Sequence, residues 1–372
     1  ARHWVAEGDA DQALAWLPAS EPEDFAERGL FHEIRARALR LQGHREKAGR
    51  ALSKAETSYR KAENLSGLAR ICNLRGSFAK QEAGFSAAEN CYAAAVELAR
   101  QAKDGYCEGS AQVNLALTYQ DQGKIDEAHQ AYRRAWAISR NCSHPMLSQT
   151  LYHNWINLLH HMGRSRQAEK LCYEWLQLAV QHQYPEQQAS ALNYLALIAG
   201  QRKHYKLQGA YLDQAIGLLN SRKCSRLLAQ FLINRSLLGW SLGKYFSAQR
   251  DAEAALKIHR HFPEDPLMGY AYLVLGKVFR DRELYDYSQA GHCLLRARAN
   301  VLKNQNRPLL WEVEYNLGLL EKMKGDREAA RKFFLFARKA LEDLEQSLPE
   351  ALKESYQRDR KSDRVARELG TQ

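Results

Sequence analysis

The sequence predicts an all-α array of about eight to nine antiparallel helix pairs. Three observations carry that reading. Seven positions, Gly43, Ala83, Gly123, Gly163, Lys203, Gly243 and Glu283, are spaced by 40 at every step. Gly8 lies 35 before the first and Gly325 lies 42 after the last. A fixed period in this range marks one supersecondary unit stacked on copies of itself. Second, small residues recur around most anchors: five after, as at Ala48, Ala88, Ala128, Ala168, Ala248, Ser288 and Ala330, and seven before, as at Ala36, Gly76, Ala116, Ala196, Ser236, Gly276 and Gly318. Third, the chain has only 8 Pro and is rich in Ala, Leu, Arg, Gln and Glu, the strong helix formers.

Each unit reads as helix A, a turn at the anchor, and helix B. The N-terminal unit around Gly8 is truncated. The next two present the faces Ala48/Leu52/Ala55 and Ala88/Tyr92/Ala95 on helix B, at i, i+4 and i+7. The unit Tyr106–His144 shows the logic best. Helix A covers roughly Tyr106–Gln122, with Val113, Leu115, Ala116, Leu117 and Tyr119 toward the buried side. Gly123 relieves the Cβ clash of a left-handed helix end, and Asp126 caps helix B, roughly Glu127–Arg140, whose face is Ala128/Tyr132/Ala135. His144-Pro145 opens the unit turning at Gly163, and Tyr184-Pro185 opens the one turning at Lys203. The face Ala248/Ala252/Ala255 follows Gly243; Pro263 to Pro266 precede the unit of Glu283; Arg307-Pro308 precede the last, whose face is Ala330/Phe334/Ala337. Phe85, Ile125, Tyr205, Tyr245 and Tyr285, two after their anchors, are expected to wedge under the turns. The last helix B runs to about Glu345, where Leu348-Pro349 stops it. The array thus spans 1–346, and 347–372 is a charged capping helix or tail.

Composition sets further bounds. The formal net charge is +11 and the pI about 9.2, which favours an acidic partner unless the cations simply solvate outer helix faces. The seven cysteines (Cys72, Cys91, Cys107, Cys142, Cys172, Cys224, Cys293) form no C-x-x-C and fall mostly in amphipathic helices, which suits a reducing, cytoplasmic setting. No uninterrupted apolar run of membrane-spanning length occurs, and no signal peptide is visible. The chain starts at Ala1 partway through a repeat and is expected to be a piece of a larger protein.

The small residue of helix A, the turn Gly and the two Ala of helix B resemble the tetratricopeptide repeat family in order and spacing. Asn114-Leu115-Ala116-Leu117-Thr118-Tyr119-Gln120-Asp121-Gln122-Gly123 is the closest match, with Asn316-Leu317-Gly318-Leu319-Leu320 beside it. Lys203, Gln208, Glu283 and Trp175 depart from the pattern, and the 40-residue period exceeds the family's usual 34. Long-period arrays of this kind look like those of bacterial signalling proteins, including STAND-type ATPases and multidomain transcription regulators. The resemblance implies a right-handed superhelical solenoid whose A helices line a concave groove. Carried over unit by unit, the groove positions are Arg37 and Arg40; Arg70, Asn73 and Lys80; Asn114; His153, Asn154, Asn157 and His160; then Asn193, Asn234, Lys277, Arg280, and Asn316 with Lys322.

Asparagine is unfavourable in mid-helix, yet its amide can donate to and accept from an extended peptide backbone. Alternatively these amides bond to neighbouring helices and set the repeat spacing. Arg37, Arg40, Arg70 and Lys80 would give the N-terminal half a positive potential. His153, Asn157 and His161 share a helix face, but a third strong metal ligand is missing, so no metal or cofactor is expected. No P-loop, dinucleotide, nucleophile-elbow or H-E-x-x-H motif occurs, and the chain does not read as an enzyme. The expected function is a protein-interaction module binding a peptide or helix, acidic by preference, with Trp240 and Tyr270 as apolar anchors. A domain of the parent protein is one candidate partner. A ligand-sensing regulatory domain is the first alternative and a nucleic-acid-binding repeat the second.

Overall fold

In a computed structural model, the structure describes residues 9–82, 84–142, 144–219, 226–260, 265–282, 286–347, 353 and 361–370. Among them the chain is all-α, and it divides into two compact units, Ala1–Trp155 and Ile156–Gln372. Gly8, Ala83, Cys224, His261, Glu283, Tyr285 and Leu348-Pro349 lie outside the described residues.

The first unit holds α1 (Ala10–Ala15), α2 (Phe25–Leu41), α3 (Arg45–Lys61), α4 (Leu65–Gln81), α5 (Phe85–Gln101), α6 (Gly105–Asp121), α7 (Ile125–Cys142) and the start of α8 (Pro145–His161). The second holds the end of α8, then α9 (Ser165–Gln181), α10 (Pro185–Gln201), α11 (Tyr205–Leu219), α12 (Arg226–Ser241), α13 (Tyr245–His259), α14 (Leu267–Asp281), α15 (Tyr287–Lys303), α16 (Arg307–Lys324), α17 (Arg327–Ser347) and α18 (Lys361–Leu369). Even-numbered helices from α2 are the A helices; the odd-numbered helices after them are the B helices.

The anchors do what the pattern requires. Gly43, Gly123, Gly163, Gly243 and Gly325 all have positive φ, and so does Lys203 at +61°. A side chain in this region costs roughly 1–2 kcal/mol, so Lys203 holds its turn under strain where these five glycines hold theirs freely. The small residues seven before the anchors receive the large residues of helix B. A Cβ on Gly76 would lie 2.6 Å from the Tyr92 ring, and one on Gly318 would lie 2.5 Å from the Phe334 ring. Ser236 instead donates its hydroxyl to the Ala248 carbonyl at 2.6 Å. Tyr92, Tyr132 and Phe334 are buried beside Ala88/Ala95, Ala128/Ala135 and Ala330/Ala337.

Three expectations are corrected. Asp126 does not cap helix B: α7 already starts at Ile125, so Asp126 sits in the first turn, where its charge complements the helix dipole. Asp326 occupies a true cap, accepting from Ala329 N–H at 2.9 Å. The register placed at Glu283 is two residues early. Ser288 is exposed, whereas Ala290, Leu294 and Ala297 are fully buried, and a Cβ on Gly276 would meet Leu294 at 2.6 Å. The step of 42 therefore follows Gly243 rather than preceding Gly325, and Asp286 starts α15 by accepting from Gln289 N–H. Tyr205 does not wedge under its turn; it is 41% exposed at the first position of α11.

The turns from B to the next A carry a second left-handed position that composition does not announce. Glu63, Lys103, Gln183 and Gln305 have φ between 50° and 56° without being glycine. The next residue often caps: Asn64 accepts from Gly67 N–H at 2.8 Å and Asp104 from Cys107 N–H at 2.9 Å. At the C-terminal end, α18 packs on the last pair. Val365 is buried with Trp311, Ala337 and Leu341, and Lys322 pairs with Glu368 at 2.6 Å.

Candidate functional site

Within each unit the A helices of successive pairs touch one another more closely than the B helices do. They form the inner row, and the residues carried over as groove positions all lie on them.

In the first unit, α2 supplies Arg37 and Arg40, α4 supplies Arg70, Asn73 and Lys80, and α6 supplies Asn114. The cations are mostly engaged already. Buried Glu33 on α2 accepts from Arg37 at 3.1 Å, from Arg70 at 3.0 Å and from the Tyr59 hydroxyl at 2.9 Å. Arg70 also donates to the Tyr59 oxygen at 3.0 Å and to Ser66 at 3.2 Å. Burial, and after it the Glu33 charge, pushes the Tyr59 phenol above its ordinary range. Lys80 pairs with Asp121 on α6 at 2.8 Å. Arg40 differs: its guanidinium stacks on the Phe78 ring at 4.0 Å, and one of its Nη atoms is buried without a hydrogen-bond partner. Burial, then the neighbouring Arg45, lowers its pKa.

The asparagines pair across the inner row. Asn114 on α6 donates to Asn73 on α4 at 2.9 Å; in the second unit Asn234 on α12 donates to Asn193 on α10 at 2.7 Å. Both links span 41 residues, one repeat plus one. Each bond uses one donor and one acceptor, so each pair retains an amide N–H and a carbonyl oxygen. Asn73, Asn114 and Asn234 are half-buried and border solvent, whereas Asn193 is buried.

On α8, His153 is exposed, and Asn154 donates to the Thr150 carbonyl of its own helix at 2.8 Å. In the second unit, Asn157 bonds to the Tyr194 hydroxyl, and His160 meets Gln201 at 3.1 Å. Among the described residues no three His, Cys, Asp or Glu side chains gather as a metal site. Cys107 is buried, and its thiol is pushed up to about 12, the protonated and unreactive state at neutral pH.

Lys277 and Arg280 on α14 are buried rather than open to the row, each 5% exposed. Lys277 pairs with Glu312 and lies 4.5 Å above the Trp240 ring. Trp240 donates to Asp281 at 2.9 Å; Arg280 donates to Asp281 at 2.6 Å and to Asn316 at 2.8 Å. This closed network joins α12, α14 and α16. Trp240 and Tyr270 are half-buried, Tyr270 against the core around Leu273 and Leu309.

The residues that reading the sequence missed are the counter-charges: Glu33, Asp121, Asp281 and Glu312. A signal for one was present, since Glu33 and Arg37 stand at i, i+4.

Residues 109–142, the second part of α6 through α7, match the tetratricopeptide repeat family model. No curated protein matches the chain. Among solved structures, the apo form of RapI is similar at a TM-score of 0.66 and 11% identity, covering 93% of this chain and 96% of that one. A Rap protein complexed with Competence and Sporulation Factor is similar at 0.56 and 15%, covering 92% and 96%. A STAND protein with a tetratricopeptide repeat sensor from Pyrococcus horikoshii is similar at 0.55 and 14%, covering 95% of this chain and 55% of that one. At these identities the likeness shows the fold, which is the tetratricopeptide-repeat architecture the sequence resembles.

Proposed function

We propose that the chain is a protein-interaction module that binds a peptide along the inner row of A helices within a unit. The observation that carries the proposal is the pair of asparagine bridges, Asn73/Asn114 and Asn193/Asn234. The half-buried Asn73, Asn114 and Asn234 keep amide donors and acceptors at the solvent border, the complement of a peptide's own C=O and N–H, while buried Asn193 holds Asn234 in place. The bridges also join successive A helices, so only the donors and acceptors they leave over speak for a ligand. The likeness to the Rap conjugation gene regulator of the plasmid pLS20, whose structure is in complex with the Phr* peptide, supports a peptide ligand, and the likeness to the STAND protein with a tetratricopeptide repeat sensor supports a role in which ligand binding is sensed.

A preference for acidic ligands rests on Arg40 among the N-terminal cations, because Arg37, Arg70 and Lys80 already face carboxylates. Recognition is then mainly of the backbone, with Arg40 on Phe78 selecting an acidic side chain. Lys277, Arg280 and Asn316 hold α12, α14 and α16 together instead of touching the peptide.

The test is selection of a binding sequence from a displayed random peptide library against the full chain, followed by calorimetry with that peptide. Asn73→Ala and Asn234→Ala should each weaken it by about five- to 150-fold, the equivalent of leaving a desolvated partner unmatched. Arg133→Gln on the outer helix α7 should leave it unchanged. Equal affinity for all three variants would refute the inner row as the binding face.

A further inference from the structure

The turns from A to B at Gly163, Lys203 and Gly243 lie on one edge of the second unit. One cleft of about 880 Å³ is lined by Gly163, Arg164, Arg166 and Arg202, so it bridges the first two turns. Another of about 240 Å³ is lined by Gly209, Lys244 and Arg250 and bridges the second pair to the third turn. Along this edge stand Arg164, Arg166, Lys203, Lys206, Lys244 and Arg250, all exposed. Among the described residues, none of the six has a carboxylate at ion-pair distance. The nearby acids are spent elsewhere: Glu169 on Arg202 at 2.8 Å, Asp213 and Asp251 on Arg235 at 2.8 and 2.7 Å. The helices α9 and α13 start here on Arg164 and Lys244 with no side-chain cap, so their free N–H groups add to the positive potential.

The same edge exposes apolar side chains. Phe246 is 88% exposed, Leu207 44%, Leu242 42% and Tyr205 41%. Isolated exposed apolar groups are ordinary, but four interleaved with six unpaired cations make a mixed surface. Its composition matches segments that rest in the headgroup region of an anionic bilayer, with cations on phosphates and carboxylates and Phe and Leu at the acyl boundary. A nucleic acid would use the cations, Tyr205 and Phe246 equally, yet Leu207 and Leu242 offer no stacking face to a base.

We propose that this edge docks on an anionic phospholipid bilayer. The proposal is independent of the peptide reading, since it uses the turns and not the inner row.

The test is co-sedimentation of the full chain with phosphatidylcholine vesicles containing or lacking phosphatidylserine. The chain should bind only the anionic vesicles, and less as salt rises. Each cation at the surface is worth about fivefold in partitioning, so Lys206→Gln with Lys244→Gln should weaken binding roughly 25-fold. Phe246→Ser should weaken it about tenfold. Arg133→Gln with Arg134→Gln, which removes equal charge from α7, should leave it intact, and circular dichroism confirms that each variant is folded. Equal binding to both vesicle types, equal loss in both double variants, or no vesicle binding by a chain that binds a single-stranded oligonucleotide would each overturn the proposal.

Discussion

Substituting Gly318 by Ala should destabilise the last helix pair, although alanine is the better helix former. Gly318 lies in the interior of α16, where exchange for Ala gains about 1 kcal/mol of helix propensity in the absence of contacts. Here the new Cβ would sit 2.5 Å from Cε1 and 2.7 Å from Cδ1 of Phe334. Ordinary contact begins near 3.4 Å, so the ring or the helix must retreat by almost 1 Å. Phe334 is 2% exposed and bound in by Ala330, Ala337 and Trp311, which leaves the ring little room. Overpacking of this kind costs roughly 1–3 kcal/mol. Gly49 in α3 supplies the reference, because its Cβ would meet nothing within 4 Å. Gly49→Ala should therefore stabilise by up to about 1 kcal/mol, and Gly318→Ala should fall about 1–3 kcal/mol below it. Urea unfolding gives the difference, and amide exchange localises it. In a stacked array each unit feels its neighbours, so α16 and α17 should exchange faster while α2 and α3 do not. Phe334→Leu, which removes the ring, should absorb most of the penalty in the double variant. Equal gains from both alanines would refute the small-to-large packing on which the repeat reading depends.

Three further outcomes follow from the structure. Lys203→Gly relieves a residue held at φ +61° and should raise stability by up to about 1 kcal/mol, seen as a higher urea midpoint. Asp104→Ala removes the acceptor of Cys107 N–H and should cost about 1 kcal/mol, with α6 fraying first in amide exchange. Burial holds His259 below the ordinary imidazole value of 6.5, against the opposing pull of Asp265, so the unfolded chain takes up a proton that the folded one refuses. Stability should thus fall as pH drops below 6.5, and His259→Phe should reduce that slope in urea titrations at about pH 7.5 and about pH 5.5. His32 shares the sign, so the slope should shrink rather than vanish.

Much of the fold was legible in the sequence because its determinants are local. A glycine that must turn left-handed and an alanine that must sit under a neighbouring helix leave the same mark in most repeats, as at Gly123 and Ala128. The reading slipped where that mark was absent. Without glycine at the turn after α14, the frame around Glu283 rested on counting, and only the burial of Ala290 and Leu294 reveals the two extra residues. Lys103 and Gln183 hold left-handed turns with side chains that prefer no such conformation, so no composition signal exists for them. The candidate site was legible as positions but not as chemistry. Whether a cation is available depends on residues in other repeats: Lys80 answers to Asp121 and Lys277 to Glu312, 41 and 35 positions away. Such pairings are set by packing between helices, which the period announces without naming its partners.

The most direct test of the account is amide exchange of the full chain with and without a peptide selected against it. Peptide binding on the A helices of a unit predicts new protection in α4 and α6, which carry Asn73 and Asn114, or in α10 and α12, which carry Asn193 and Asn234. Protection confined to the outer helices α5, α7, α11 and α13 would contradict it.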